Sequence, residues 1–259
     1  MTTSLTYAVG VGFALWRRAL LELARVRGGL LPTTIAPIIF LLGNAGQFGR
    51  LSDLTSFPTD SYLSWILPLA CLQGAGFAGG AAGANLARDI EQGWFDRLLL
   101  APVPRIALLA GIVGSASLRA LLPASFLLLV GEVFGANWPG IGEIALMVPL
   151  VCGYAAVAAC WGAIIALRFK TQQAAPLMQV GMFAATLFTT AYAPFVLLTP
   201  WLEQVARINP VTYILEGIRQ GFVGNVEWAT TWPAFLALFG LIAVFGGLAL
   251  RSMRRTGLG

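Results

Sequence analysis

Histidine, the commonest general base near neutral pH and the commonest metal ligand, is missing from all 259 residues. The three cysteines, Cys71, Cys152 and Cys160, lie inside apolar runs and form no Cys-x-x-Cys pair. They read as small packing residues rather than as a redox or metal centre. The spacing Gly74-x-Gly76-x-x-Gly79, with Asp96 downstream, has the letters of a dinucleotide fingerprint. That fingerprint works only in a turn between a strand and a helix, and here it sits inside a long apolar run. A P-loop needs Gly-x-x-x-x-Gly-Lys-Ser/Thr. The only lysine, Lys170, follows Phe169, so the chain has none. Nucleotide hydrolysis and metal chemistry are beyond these side chains. The glycines have a different use: the pairs Gly76/Gly80 and Gly79/Gly83 are small-xxx-small contacts that let helix backbones approach closely.

The elements that must position the remaining polar residues follow from hydropathy. The chain is 58% hydrophobic and 10% charged, with a mean hydropathy of +0.81, against roughly 25% charged residues in soluble domains. Six runs, near 31–48, 62–84, 106–130, 144–167, 174–199 and 232–250, approach the ~20 apolar residues that a spanning helix needs. They are too long and continuous for the alternating strands of a barrel. Ahead of them, Phe13, Trp16, Leu20, Leu23 and Ala24 share one helical face, while Arg18, Glu22 and Arg25 fall opposite. Such a helix, over 13–27, lies in the membrane interface. No linker divides the chain, and no charged leader precedes a cleavable apolar segment. The expectation is one all-α, polytopic membrane domain over 1–259.

Charge sets its orientation. With the N-terminus inside, the cytoplasmic segments carry twelve basic residues: Arg17, Arg18, Arg25 and Arg27, then Arg88, Arg97 and Arg105, then Arg168 and Lys170, then Arg251, Arg254 and Arg255. The outer segments carry Arg50, Arg207 and Arg219, and Arg119 lies within a span. Twelve against three puts both termini in the cytoplasm. The net charge of +5 is thus spent on topology. No basic stripe interleaved with aromatics points to nucleic acid. For Arg119 two readings stay open, snorkelling to the cytoplasmic headgroups or a pairing or pathway charge.

Two segments between spans carry function. Residues 85–105, NLARDIEQGWFDRLLLAPVPR, are cytoplasmic by the charge count. Ile90, Trp94 and Leu98 make an i, i+4, i+8 stripe, Asp89 and Asp96 fall opposite, and Pro102 and Pro104 stop the helix. A helix of this kind, with an acidic outer face, suits either docking of a soluble partner or an ordinary loop. Residues 199–224 lie outside. There Asn209-Pro210 makes an N-cap and first helical position, and Glu216 and Arg219 stand one turn apart. Short helices dipping into the outer leaflet fit this amphipathic, proline-broken stretch.

Together these features resemble the permease subunits of type 2 ABC exporters, most closely the daunorubicin-resistance branch of drug and lipid exporters. Glu91-x-Gly93-x-x-Asp96-Arg97-Leu98 with Pro102-Val103-x-Arg105 resembles the family's coupling-helix pattern, and Asn209-Pro210-Val211-Thr212-Tyr213 with Arg219 its outer motif. Trp94, Asp96 and Pro104 depart from the residues most frequent there, which bears on partner and substrate, not on the family. The resemblance implies a bacterial cytoplasmic membrane location and coupling of Arg88, Asp89, Glu91, Gly93, Trp94, Asp96, Arg97 and Leu98 to an ATPase subunit. It also implies an outer re-entrant motif of Asn209, Pro210, Tyr213, Glu216 and Arg219. This chain would bind no cofactor. ATP and Mg would sit in two separate ATPase subunits, beside a second permease copy, identical or paralogous, and membrane lipids.

Secondary transport would place an acid at mid-membrane, yet the acids cluster in loops, with Glu132 and Glu143 at span ends. An intramembrane enzyme would need a polar constellation within the spans. The available lining is apolar, with Asn44, Gln73, Gln179, Thr186, Thr189 and Thr190 scattered thinly, which fits an amphipathic drug or lipid. Polysaccharide or glycolipid export is the alternative cargo. Arg119, Phe188, Tyr192 and Phe195, with Trp201, are pathway candidates, the aromatics serving as a lateral exit or as an interfacial belt. Single cysteines at positions 53, 143 and 227, on a cysteine-free background, are expected to react with an impermeant reagent from outside. One at position 96 should react only from the cytoplasm, and outside labelling there would reverse the topology.

Overall fold

The protein's structure, a computed structural model, is described for residues 31–100 and 104–256. The expected interfacial helix at 13–27 and the pair Pro102-Val103 lie outside those residues. In chain order the helices are α1 (Leu31–Phe48), α2 (Tyr62–Glu91), α3 (Trp94–Leu100), α4 (Arg105–Val133), α5 (Ile141–Phe169), α6 (Ala175–Leu187), α7 (Pro200–Ile208), α8 (Pro210–Val223) and α9 (Trp228–Thr256). No strand occurs among the described residues.

Four of these helices, α2, α4, α5 and α9, are long and apolar enough to cross a membrane. Each runs past its expected bounds. α2 continues to Glu91, about two turns beyond residue 84, because Ala, Leu and Arg there favour helix and nothing stops it before Gly93. α1 holds the expected 18 residues. The fifth apolar run differs most. Its helix, α6, stops after 13 residues at Leu187, so it reaches ~20 Å of the ~30 Å hydrocarbon core. Irregular backbone and a short 3-10 turn at Phe195–Leu197 replace the rest of 174–199.

α2 is the central element. Of its apolar window 89% is buried, against 17% for α9, whose Trp232, Leu236 and Phe239 face outward. A helix surrounded this way needs a thin surface, and the glycine pairs provide it. A Cβ on Gly79 would come 2.6 Å from the Ala155 carbonyl oxygen of α5, and one on Gly83 would come 2.5 Å from the Gly162 Cα. Gly76 and Gly80 face α6 instead, against Met182 and Gln179. Gly83 also meets Met178 of α6, so the two pairs lie on adjoining faces of one helix.

The bundle has two distinct ends. Arg105 Nη1 donates to the Met253 carbonyl at 3.4 Å at the end that carries α3, Arg168, Lys170 and the final turn of α9 with Arg254 and Arg255. This is the basic end. At the opposite end the Tyr62 hydroxyl donates to the Tyr192 carbonyl at 3.1 Å, and Asn137 bridges Ser64 Oγ and the Phe222 carbonyl.

Overpacking is costly at a backbone contact. Gly83→Val should lower the stability of the detergent-solubilised chain by about 1–3 kcal/mol, read from the tryptophan-fluorescence melting midpoint. Gly114→Ala, which points into open space, should change it by less than about 0.5 kcal/mol.

Candidate functional site

Every residue of the expected outer motif takes part in one bracket at the end opposite the basic end. Leu187 ends α6, and its last carbonyls lose their helical donors. Asn209 supplies two: its Nδ2 donates to the Ala185 and Phe188 carbonyls, both at 2.8 Å. Its Oδ1 meanwhile accepts the Val211 N–H at 2.9 Å, capping α8. One side chain therefore closes the end of α6 and opens α8, and Pro210 at the first helical position gives up no needed donor. The Tyr213 hydroxyl does the same for α7, donating to the Arg207 carbonyl at 2.8 Å.

Arg219 completes the bracket and is 2% exposed. Its Nε donates to the Trp65 carbonyl of α2 at 3.2 Å. Its Nη2 donates to the Thr190 carbonyl at 3.0 Å and the Ala191 carbonyl at 3.4 Å. Its Nη1 donates to Glu216 Oε1 at 2.6 Å and to Thr190 Oγ1 at 3.2 Å. The Thr190 hydroxyl in turn donates to Glu216. The guanidinium carbon lies 3.7 Å from the centre of a Trp65 ring, a cation–π contact. A planar five-donor group suits this task, and a lysine ammonium has too few donors. Irregular backbone beside apolar helices is tolerated where protein donors satisfy it.

The candidates of residues 88–98 lie at the basic end, and here the structure corrects the sequence. Ile90, Trp94 and Leu98 do not share one helix. α2 ends at Glu91, Gln92 and Gly93 turn back on it, and α3 restarts at Trp94. Gly93 has φ +69°, a left-handed conformation that glycine adopts without cost, and this breaks the expected stripe. The buried anchor is Phe95, 2% exposed, packed with Leu86, Leu108 and Leu167. Restarting the helical count at Trp94 places Phe95 and Leu99 together, which is the signal that a single continuous helix hides. Arg88 and Asp89 are half-buried on the last turn of α2, whereas Glu91, Asp96 and Arg97 are exposed. Glu91 also makes a contact absent from the sequence reading: its Oε2 accepts the Gln172 N–H at 3.1 Å.

Each pathway candidate has its own setting. Arg119 is half-buried at the midpoint of α4. Phe188 packs edge-on against Trp201, with ring centres 6.4 Å apart. Phe195 lies under the Arg207 guanidinium at 4.8 Å. Tyr192 joins Tyr62 and Gln73 instead.

An all-helical bundle with four helices long and apolar enough to cross a membrane is the architecture of a multi-pass membrane protein. The family profile described as ABC-2 type transporter matches residues 12–223, and the chain belongs to that family, as a permease subunit of the kind that works with ABC ATPase subunits. It is similar to the "Daunorubicin resistance ABC transporter permease protein DrrB1" of Streptomyces coeruleorubidus, 24% identical over 93% of this chain and 84% of the relative. It is also similar to the "Inner membrane transport permease YadH" of Escherichia coli, 25% identical over 83% and 82% of the two chains. A third relative, the "Putative transport permease ycf38" of Porphyra purpurea, is 26% identical over 84% of this chain and 75% of its own.

Removing Arg219 leaves the Trp65, Thr190 and Ala191 carbonyls without their donor, while Glu216, 30% exposed, keeps access to solvent. Arg219→Met should cost about 3 kcal/mol in the same melting assay, whereas Tyr213→Phe, which deletes one bond, should cost about 1 kcal/mol.

Proposed function

We propose that the chain moves an amphipathic drug-like molecule or lipid out of the cytoplasm or the inner leaflet, powered by a separate ATPase subunit that docks on residues 88–98. Six spans with both termini cytoplasmic, α6 and its break counting as the fifth, put that segment where a soluble ATPase can reach it. Two permease copies enclose the path. The observation that carries the docking reading is α3 itself. It is a short helix set off from α2 by the Gly93 turn and pinned by Phe95, with Asp96 and Arg97 left exposed. A side chain is buried to hold the helix in place while charged groups are presented outward, which is the arrangement a charged groove recognises.

The cargo reading draws support from a groove of about 450 Å³ at the opposite end, within the ~300–1,000 Å³ usual for small-molecule sites. Leu42, Ala45, Leu63 and Phe134 give it apolar walls, and Asp60 and Ser61 a polar edge. Drug resistance in the name of the Streptomyces relative agrees with such a cargo. Domain closure in the paired ATPases would tilt the 88–98 segments and switch the path between inward and outward openings.

The purified chain alone should hydrolyse no ATP, and the complex with its ATPase should be stimulated by amphipathic drugs or simple lipids. Asp96→Lys should lower ATPase co-purification or uncouple hydrolysis from transport. Normal, fully coupled transport by that variant would remove α3 from the docking surface. Stimulation by glycan-carrying lipids alone would replace the cargo and leave the docking intact.

A further inference from the structure

We infer that Glu91 is a positioning residue through which the docking segment moves α6, and with it the break at 188–191. The inference rests on the docking role given above to residues 88–98. Glu91 is the last residue of α2, two residues before the Gly93 joint and inside the docking segment, so a pull on that segment reaches it through Gln92 and Gly93. Its carboxylate accepts the N–H of Gln172, at the start of the 3-10 turn Gln172–Ala174, which runs directly into α6. Thr171 Oγ1 accepts the next N–H, that of Gln173, at 3.3 Å. Glu91 is therefore the part of the cap on this helical stretch that belongs to another element, and a carboxylate there is also favoured by the helix dipole.

The far end of α6 is held in the same borrowed way. Asn209 caps Ala185 and Phe188, and Arg219 takes the Thr190 and Ala191 carbonyls. α6 is thus a rod of ~20 Å fastened at one end to the docking segment and at the other to the outer bracket. Its flank on α2 is smooth. Met178, Gln179 and Met182 rest on Gly83, Gly80 and Gly76, where no side chain projects to lock the register. Elsewhere along it Trp161 lies on Gly181 and Phe40 beside Phe183, and the Tyr154 hydroxyl donates a long bond, 3.4 Å, to the Met182 carbonyl. A rod held by its strongest polar bonds at its ends and by mostly apolar contacts along its side transmits displacement along its axis.

The test uses the full chain with its co-purifying ATPase subunits in lipid nanodiscs, on a background lacking Cys71, Cys152 and Cys160. The probe is a membrane-impermeant maleimide on Val196→Cys, an 81% exposed site just beyond the break. Labelling is compared with and without ATP and vanadate. The parent should change its labelling rate at least about fivefold on trapping, the lower range of a working allosteric coupling. Gln172→Pro deletes the donor while keeping a residue suited to a first helical position, after a Thr171 already extended at φ −139° and ψ 144°. It should retain the ATPase yet lose the response. Glu91→Ala should lose it equally, the double variant should be no worse than either, and Glu91→Gln, which keeps an acceptor, should restore it. A parent that does not respond, a Gln172→Pro chain that responds fully, or loss of the ATPase from Gln172→Pro would each overturn the inference. Failure of the parent to co-purify any ATPase would instead strike at the docking reading.

Discussion

A backbone carbonyl that has lost its helical donor next to apolar helices costs several kcal/mol unless something else donates to it. The end of α6 creates four such carbonyls within seven residues, those of Ala185, Phe188, Thr190 and Ala191. Asn209 and Arg219 answer all four. The geometry of this half of the bundle follows from that requirement. α8 must lie against the break so that Arg219 can reach it, α2 must offer the Trp65 carbonyl and ring, and Glu216 must balance the buried charge. A pair of this kind, with only the arginine fully buried, contributes little net stability over apolar packing, but it admits only one arrangement of the three elements.

The opposite requirement operates along α2. There the constraint is close approach rather than polar satisfaction, and glycine meets it by omission. Contacts between α2 and its neighbours hold by shape and dispersion and leave few bonds to break. The bundle thus combines a polar lock at one end with low-friction packing in the middle, so that a hinge of one residue, Gly93, can carry a separately oriented helix at the other end.

The long helices, the glycine pairs and the Asn209-Pro210 start of α8 were legible in the sequence because each is set by neighbours within one or two turns. The end of α6 at Leu187 was not. Residues 174–199 read as one apolar run, and only Thr189, Thr190 and Pro194 hint at interruption. Arg219 was legible as half of a pair with Glu216, yet its burial depends on Trp65, 154 positions away, which no local pattern reports. The Ile90, Trp94 and Leu98 stripe failed for a local reason. Gly93 permits either a helix or a left-handed turn, and Phe95 decides for the turn because burying its ring outweighs continuing the stripe. Glu91 and Gln172, 81 positions apart, again meet only through the fold.

The separation between Arg219 and its partners also sets a schedule for biogenesis. Chains emerge at about 5–20 residues per second, so Trp65 precedes Arg219, 154 positions on, by roughly eight to thirty seconds. For the last few of those seconds the nascent chain holds Thr190 and Ala191 with their donor not yet synthesised. A guanidinium cannot shed its charge to wait in lipid. It must arrive on the aqueous side and enter the break from there, which makes closure of the bracket a late assembly step and leaves the unclosed chain the species a quality-control protease would meet.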